Sequence, residues 1–456
     1  MKRRDFLFLA GGLALETGLD LMKPARLMAA SDADYTLRIA PVSMDLAPGK
    51  TIRTTGYNGT VPGPVLRMRE GKKISVDVFN DTDIPEFVHW HGLFIPPEVD
   101  GAEEEGTPVV PAHGQQRYTF TPRPAGARWY HTHSMAGTDL TRGAYNGQFG
   151  FLYIEPKSEP GNYDQEIFLA AHSWEPSLVH RAKTNDVGMD VMFGSYSLND
   201  KPLGRGEPIR VRQGQRILFH FLNASPTGFV NLSFPGHKFK VIALDGSPVP
   251  KPLTVEAIQL AVAERLDAVV EMNEPGVWIL GAIRDEDRAK GMGVVVEYAG
   301  QQGEPHWVAP TAGTPANTSW DYTMFGFQKA VPEPDEKFEM TFKRVPEEGV
   351  IFNRWTINGK SWPDIEPLRV KAGGRYRLVM HGGDEEGHPM HLHRHSLELT
   401  NFFGKPTSGL IKDIIAVPKS TTVEADFVAD QPGLALFHCH MQAHMDFGFK
   451  MLLKYI

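Results

Sequence analysis

The chain has 456 residues, of which 41% are hydrophobic and 22% are charged, and its formal net charge is −8 at pH 7. This composition excludes bulk disorder, and the negative charge argues against a general nucleic-acid binder. The length suits about three domains, and the 45 glycines and 35 prolines indicate many turns and short strands. The single cysteine, Cys439, excludes an intrachain disulfide and any four-cysteine metal site.

Residues 1–30 resemble a twin-arginine (Tat) signal peptide. Arg3 and Arg4 precede an apolar stretch from Phe6 to Leu15, which is too short to span a bilayer. No other stretch of the chain is long and apolar enough for a membrane anchor. The resemblance implies a periplasmic or secreted protein that the Tat route exports in folded form.

Three stretches of the chain share one pattern, in which an Asn turn is followed by two alternating segments joined by a Gly turn. The turns lie at Asn58, Asn199 and Asn358. Alternation with a period of two is typical of paired β-strands. A single β-propeller is disfavoured because a repeat of about 140 residues is too long for one blade. We therefore predict an all-β fold of three Greek-key β-sandwich domains at 31–157, 158–300 and 320–456, with a linker at 301–319.

Ten of the 18 histidines fall in four short clusters. The clusters are His89-Trp90-His91, His131-Thr132-His133, His388 to His393, and His438-Cys439-His440 with His444. Residues two apart in a strand point the same way, so each His-x-His presents two imidazoles on one face. Eight imidazoles without carboxylates favour copper, and Cys439 can join His388 and His444 on the opposite face as a blue-copper ligand set. The middle stretch has Gly281 and Ile283 at the matching place, so the outer stretches carry the chemistry.

The motifs HWHG, HTHS, HPMHLH and HCHMQAH resemble the four copper motifs of the multicopper oxidases, a family that includes laccases and bacterial copper-tolerance oxidases. The resemblance covers nearly the whole chain after residue 30. It implies three cupredoxin domains and four copper ions. The implied ligands are His388, Cys439 and His444 for the type 1 ion, His89 and His391 for the type 2 ion, and His91, His131, His133, His393, His438 and His440 for the type 3 pair.

The resemblance also implies a mechanism. Electrons from a reductant enter at the type 1 site and pass from Cys439 to His438 and His440, and four of them reduce O₂ to two waters. Asp100 matches an acidic group of the family beside the cluster, so we predict that it orients water or relays protons. Alternatively, Asp100 only caps the turn before Gly101.

Three positions depart from the family pattern. Phe449 stands where an axial Met is frequent, which predicts a three-coordinate type 1 copper with a raised potential. Met445 replaces a frequent acid, so proton delivery at that position is in doubt. Arg394 replaces a frequent Gly, and the sequence offers no account of it.

The other polar groups carry weaker hypotheses. Asp413 is predicted to be a turn residue near the type 1 strand. One of the acids at 384–386 either hydrogen-bonds His388 or belongs to a solvated loop. Eight histidines outside the clusters are predicted to lie at the surface or in the core with their hydrogen bonds satisfied. They are His113, His172, His180, His220, His237, His306, His381 and His395.

Three hypotheses about the function and its substrate remain open. The first is a laccase-like oxidase of phenols and aromatic amines, which the absence of a long Met-rich insert favours. The second is a metallo-oxidase of Cu(I) that serves copper tolerance, since soft thioethers suit Cu(I). The candidate thioethers, which core packing also explains, are Met189, Met192, Met441 and Met445. The third is a non-enzymatic envelope scaffold, which the complete ligand set disfavours. We expect a monomer with O₂ as a partner.

Overall fold

The computed structural model describes residues 32–157, 161–180, 188–310, 321–329, 331–347, 349–383 and 386–456. The predicted signal peptide lies outside these residues, as do Asp384, Glu385 and residues 311–319 of the predicted linker. Among the described residues, no helix has both the length and the apolar character that a bilayer crossing requires.

The N-terminal part of the described chain forms two four-stranded sheets. Its strands are β1 (Tyr35–Ala47), β2 (Lys50–Tyr57), β3 (Gly63–Arg69), β4 (Ile74–Asn80), β5 (Val88–His91), β6 (Gln115–Phe120), β7 (Gly126–Thr132) and β8 (Phe149–Glu155). The sheet orders are β2-β1-β4-β6 and β3-β8-β7-β5. Apolar side chains from both sheets, such as Leu37, Trp90 and Tyr118, pack in one buried core, which makes the pair a sandwich.

The middle part forms a six-stranded and a five-stranded sheet. Its elements are β9 (Gln165–His180), β10 (Met189–Leu198), β11 (Ile209–Val211), β12 (Arg216–Asn223), β13 (Val230–Ser233), β14 (Phe239–Leu244), β15 (Ser247–Val255), β16 (Ala257–Leu260), β17 (Arg265–Glu271), β18 (Val277–Ala282), α1 (Asp285–Ala289) and β19 (Gly293–Tyr298). The sheet orders are β10-β9-β12-β17-β14-β15 and β11-β19-β18-β13-β16.

The C-terminal part has the same arrangement. Its elements are β20 (Glu336–Val345), β21 (Arg354–Ile357), β22 (Leu368–Val370), β23 (Arg375–His381), β24 (His388–Leu392), β25 (Leu397–Phe402), β26 (Lys405–Lys412), β27 (Ile414–Val417), β28 (Thr422–Val428), β29 (Ala435–Cys439), α2 (Gln442–Asp446) and β30 (Lys450–Tyr455). The sheet orders β21-β20-β23-β28-β25-β26 and β22-β30-β29-β24-β27 match those of the middle part strand for strand. The predicted all-β sandwich fold is confirmed, and the residue limits of the three domains stay a prediction.

Short 3₁₀ turns complete the described secondary structure. They are Pro97–Val99, Glu103–Glu105, Gly143–Tyr145 and Tyr322–Phe325. The first two follow β5 directly and carry side chains into the candidate site described below.

The three turn asparagines make the same hydrogen bonds. Asn58, Asn199 and Asn358 all have a positive φ, between 52° and 61°, which Asn tolerates better than most residues. Each side-chain amide donates one hydrogen bond to, and accepts one from, the backbone of a long strand that lies earlier in the same part of the chain. The Nδ2 atoms donate to the carbonyls of Thr36, Phe168 and Glu339, and the Oδ1 atoms accept from the amides of Arg38, Ala170 and Thr341. This shared geometry accounts for an Asn in each of the three sequence stretches.

Candidate metal centre

Two neighbouring strands of the N-terminal part carry the first four imidazoles. β5 and β7 are antiparallel, and His89 lies opposite His131. His91 and His133 lie two residues further along the chain, on the same face. All four side chains are buried, with 7% exposure or less.

Two neighbouring strands of the C-terminal part carry the other four. β24 and β29 are antiparallel, and His391 lies opposite His438. His393 and His440 follow two residues later, and both are buried. Each of the four strands lies inside its sheet or beside an inner strand, so the imidazoles are held away from water.

The two sets of four imidazoles face each other. The ring of His89 stacks on that of His393 with centroids 4.0 Å apart, and the ring of His91 stacks on that of His391 at 3.8 Å. A third contact, between His133 and His438, has centroids 5.2 Å apart. The structure therefore brings all eight predicted imidazoles into one cluster between the N-terminal and C-terminal sheets.

Twelve of the sixteen ring nitrogens of this cluster fall into two groups of six. One group donates outward to protein oxygens: His89 Nδ1 to Asp100 O (2.8 Å), His131 Nδ1 to Thr132 O (2.7 Å), His391 Nδ1 to Asp413 O (2.7 Å), His393 Nδ1 to Asp100 Oδ2 (2.8 Å), His438 Nδ1 to Cys439 O (2.9 Å) and His91 Nε2 to Asp413 Oδ1 (3.2 Å). The other group is buried and has no hydrogen-bond partner among the described residues: His89 Nε2, His91 Nδ1, His131 Nε2, His133 Nε2, His391 Nε2 and His440 Nε2.

This pattern tests whether the cluster fits a metal. Buried nitrogens are normally hydrogen-bonded, so six without a partner on facing side chains form a donor set for cations. The Nε2 atoms of His393 and His438 also lie only 3.1 Å apart. Burial lowers the pKa of His391 and of His438 to about 3, which keeps their lone pairs available at neutral pH. The residues fit imidazole-bound copper.

Cys439 lies on the other face of β29. Its Sγ is 3.5 Å from His444 Nδ1 and 3.8 Å from His388 Nδ1, and all three side chains are buried. Burial raises the pKa of the Cys439 thiol well above its ordinary value. A thiolate at this position therefore needs a bound cation to stabilise it.

Aromatic rings surround this second site. Trp355 stacks on His444 with centroids 3.8 Å apart, and Phe449 meets His388 edge-on at 4.9 Å. Phe342 packs on Phe449 at 4.9 Å, and Phe449 is fully buried. Phe449 thus packs against His388 with a side chain that cannot act as a ligand, and its axial position stays a prediction.

Two buried carboxyl groups lie beside the imidazole cluster. Asp100 Oδ2 is 2.8 Å from His393 Nδ1 and 3.2 Å from His89 Nδ1. Glu105 Oε1 is 3.3 Å from the same His393 Nδ1 and accepts from the amide of Leu436 at 2.6 Å. Burial and the neighbouring Asp100 raise the pKa of Glu105 well above its ordinary value. Nothing in the sequence marks Glu105 as part of the site, because a run of three glutamates after Asp100 resembles a solvated loop.

Asp413 lies at the bend between β26 and β27, next to β24 and its His388, as predicted, but it also contacts the imidazole cluster. Asp413 is 2% exposed, and it lies against His91 and His391 of the eight-imidazole cluster. Its carboxylate also bonds Arg265 and Arg128, which come from the middle and N-terminal sheets. The sequence does not reveal these two contacts, because the arginines are 148 and 285 residues away from Asp413.

Arg394, for which the sequence offered no account, has a structural role. It has a φ of 63°, in the left-handed region that favours Gly, and its side chain is buried. Its guanidinium donates to the carbonyl of Ile95 at 2.8 Å and to that of Gln431 at 3.1 Å. These bonds join the N-terminal part to the segment before β29, directly beside His393.

The methionines around α2 belong to the core. Met441 and Met445 are 3% and 5% exposed, which supports core packing rather than a surface thioether site. The acid next to Met445 is Asp446, whose Oδ2 accepts from the amides of Ala136 and Gly137 at 2.9 and 2.8 Å. Burial raises the pKa of Asp446.

An acidic group and a cleft lie near the Cys439 site. Glu386 Oε1 is 3.3 Å from His444 Nε2, so it is His444 rather than His388 that this acid contacts. A cleft of about 260 Å³ is lined by Met192, Phe193, Tyr196 and Phe229, among others. The ring of Phe229 reaches within 3.5 Å of where a Cβ on Gly387 would lie, which puts one wall of the cleft beside His388.

The sequence of this chain matches family models along most of its length. Three models described as multicopper oxidase cover residues 39–159, 176–298 and 332–455. The chain belongs to the multicopper oxidase family. It is an oxidoreductase, and the family implies copper as its cofactor.

Individual multicopper oxidases are similar to this one over nearly their whole length. "Multicopper oxidase MmcO" of Mycobacterium tuberculosis is 27% identical, with 98% of this chain and 92% of that protein covered. A "Copper resistance protein A homolog" of Pseudomonas syringae pv. tomato is 24% identical and covers 92% and 91%. "Laccase-2" of Fomitopsis schrenkii is 26% identical and covers 89% and 87%.

The fold is also that of a solved multicopper oxidase. The crystal structure of Fet3p, described as functioning in iron import, superposes with a TM-score of 0.78 at 17% identity, covering 92% of this chain and 90% of Fet3p. At this identity the likeness supports the fold alone.

Proposed function

We propose that this multicopper oxidase oxidises phenols and aromatic amines one electron at a time and reduces O₂ to water with four of those electrons. Four substrate molecules each give up one electron and one proton, and O₂ takes up four of each to form two waters. Copper bound at the two sites supplies the one-electron redox chemistry.

The observation that carries the proposal is the position of Cys439. Its side chain faces His388 and His444, while His438 and His440, its neighbours in sequence, face the eight-imidazole cluster. The peptide unit on each side of Cys439 therefore joins the three-ligand site to one histidine of the cluster. This short covalent path suits electron transfer from an entry site to an oxygen-reducing site.

The ligand set proposed for the copper ions follows the same division. Cys439, His388 and His444 would hold one type 1 ion. His89 and His391 would hold the type 2 ion, and the type 3 pair would be held by His91, His131, His133, His393, His438 and His440. The partnerless nitrogens described above support this assignment. Asp100, bonded to His393, would orient water or relay protons there.

The cleft beside His388 supports an organic substrate. Phe229, Phe193 and Tyr196 give it aromatic walls, and its volume of about 260 Å³ suits a single aromatic ring. A ring bound against Phe229 would lie next to the residue that precedes His388.

The alternative substrate is Cu(I), and two groups favour it. Glu386 places a carboxylate 3.3 Å from His444 Nε2, where it could attract a cation. Met192, in the same cleft, is 47% exposed and offers a soft thioether.

Oxygen uptake by the copper-loaded protein separates these substrates. We expect faster uptake with 2,6-dimethoxyphenol than with Cu(I) at matched concentration, and no need for added copper. Phe229→Ala should lower kcat/KM for the phenol by about tenfold or more, because it removes an apolar contact. Glu386→Gln, the matched variant, should lower the Cu(I) rate much more than the phenol rate. Faster Cu(I) turnover that Glu386→Gln abolishes would replace the laccase proposal with the metallo-oxidase one.

The remaining expectations concern location and assembly. Residues 1–30 support export by the Tat route to the periplasm or beyond, in a folded and metal-loaded state. We further propose that the protein acts as a monomer.

A further inference from the structure

Asp413 is held by two buried arginines from other parts of the chain. Arg265, at the start of β17 in the middle part, donates from Nη1 to Oδ1 at 2.7 Å and from Nη2 to Oδ2. Arg128, in β7 of the N-terminal part, donates from Nη1 to Oδ2 at 3.2 Å. Arg265 is fully buried, so this is a desolvated two-pronged pair, whose geometry is far more restricted than that of a surface ion pair.

The held residue orients two imidazoles of the cluster. His391 Nδ1 donates to the backbone carbonyl of Asp413 at 2.7 Å, and His91 Nε2 donates to its Oδ1 at 3.2 Å. Each bond fixes which ring nitrogen carries the proton, and therefore which nitrogen faces the cluster. A shift of Asp413 would turn both rings.

Gly92, the residue after His91, leaves room for this contact. Its φ is +83°, and a Cβ there would lie 2.5 Å from Asp413 Oδ2 and 3.0 Å from Arg128 Cδ. Any larger residue would push the carboxylate away from His91. The glycine of the HWHG motif therefore serves the approach of Asp413.

Arg265 is itself fixed by a buried network of balanced charge. Its backbone amide donates to Asp245 Oδ1 at 3.0 Å, and its Nη1 donates to the carbonyl of Ala263 at 2.9 Å. Lys412, next to Asp413, pairs with Asp245 at 2.7 Å and with Glu264 at 2.9 Å. Three buried cations thus face three buried anions, and the loss of one member leaves an unpaired charge.

We propose that Arg265 is a positioning residue of the metal centre, acting through Asp413 on His391 and His91. The middle part of the chain then contributes no ligand but sets the geometry of the oxygen-reducing site. This inference rests on the proposed assignment of His391 to the type 2 copper and of His91 to the type 3 pair.

The test compares Arg265→Lys with Arg377→Lys. Arg377 makes a similar two-pronged bond to Asp426, at 2.6 and 3.1 Å, within the six-stranded C-terminal sheet, so it controls for the general cost of losing a buried arginine. Bound copper, the blue absorption band and the type 2 electron paramagnetic resonance signal are measured against a graded copper chelator. These readouts do not depend on turnover.

Arg265→Lys should keep the blue band and lose type 2 copper at a chelator concentration about 10–100-fold lower than wild type does. Arg377→Lys should release copper as wild type does. If Arg265→Lys matches wild type, or if both variants lose type 2 copper equally, the proposal is overturned. A wild-type protein without a type 2 signal would instead refute the proposed function.

Gly92→Ala keeps the proposal testable if Arg265→Lys fails to fold. It leaves Arg265 unsubstituted but displaces the Asp413 carboxylate from His91, a proposed type 3 ligand, so it should release copper of the type 3 pair at a lower chelator concentration than wild type and keep the blue band. An unchanged chelator titration in a folded Gly92→Ala protein would contradict the role of Asp413, and with it the role of Arg265.

Discussion

Strands β18 and β29 occupy the same place in two sheets of the same order, yet only one of them carries metal ligands. In the middle sheet Gly281 lies opposite Ser233 and Ala282 opposite Leu232. In the C-terminal sheet His438 lies opposite His391 and Cys439 opposite Met390. The backbone bond from Cys439 N to Phe449 O also has a counterpart, from Ala282 N to Met292 O.

This comparison separates what the fold requires from what the chemistry requires. Apolar residues form the middle strand without any imidazole or thiol, and the sheet order is unchanged. The ligands of β29 are therefore not needed to build the strand. We expect their removal to abolish the chemistry while the fold persists.

Cys439→Ser should have the largest effect. The blue absorption band and the oxidation of organic substrates should be lost, because serine cannot supply a thiolate ligand. The fold should persist, since Ala282 fills the same position in the middle sheet. Absorption and circular dichroism spectra measure both, and a retained blue band would contradict the type 1 assignment.

Asp100→Asn should have the next largest effect. It leaves the strands intact but removes an ionisable group bonded to His393. Reoxidation of the reduced protein by O₂ should slow by on the order of 10²-fold, while reduction of the type 1 site should be unchanged. Stopped-flow measurement of the two half-reactions decides this, and equal slowing of both would count against a proton role.

Phe449→Met should have a smaller effect, and the middle sheet suggests that it fits. Met292 already stands at the corresponding position there, as the matching backbone bonds show. A thioether near the Cys439 site should lower the type 1 potential and leave the blue band in place. If the redox titration of the variant has the same midpoint potential as wild type, residue 449 does not lie at the axial position of the type 1 site.

His172→Phe should have the smallest effect. His172 lies in the middle part, fully buried between Phe149 and Trp174, and burial lowers its pKa to about 3. Because unfolding lets this imidazole bind a proton below about pH 6.5, its contribution to stability is complete above that pH and is lost as the pH falls.

The variant should therefore flatten the pH dependence of unfolding of the copper-free protein. Between about pH 6.5 and 3, the slope should fall by up to about 1.4 kcal/mol per pH unit, the contribution of one proton. Denaturant unfolding at several pH values measures it. An unchanged slope would mean that His172 is protonated in the folded chain. Burial also lowers the pKa of His388, a proposed copper ligand, to about 3, so the two histidines can be compared.

The sequence predicted the parts of the site that depend on short-range geometry. The two-residue period of a strand was enough to place His438 and His440 on one face and Cys439 on the other. The turn asparagines were recognisable for the same reason, since their bonds stay within one part of the chain.

The contacts that the sequence could not supply join distant segments. Glu105 reaches Leu436, which is 331 residues away, and Arg394 reaches Ile95 across 299 residues. Nothing in the local pattern of a Glu run or of a single Arg indicates such partners. Glu105 and Arg394 therefore had to come from the structure, whereas Asp100 and the proposed ligands were recognisable from motifs in the sequence.

The order of the proposed ligands along the chain has a consequence for biosynthesis. Four of them, His89 to His133, leave the ribosome first, and the other seven, His388 to His444, emerge only near the end of synthesis. Because a growing chain folds from its N-terminal end, the first strand pair, β5 and β7, can form long before its counterpart, β24 and β29, exists. The cluster closes last, so the protein can take up the proposed ions only when synthesis is nearly complete.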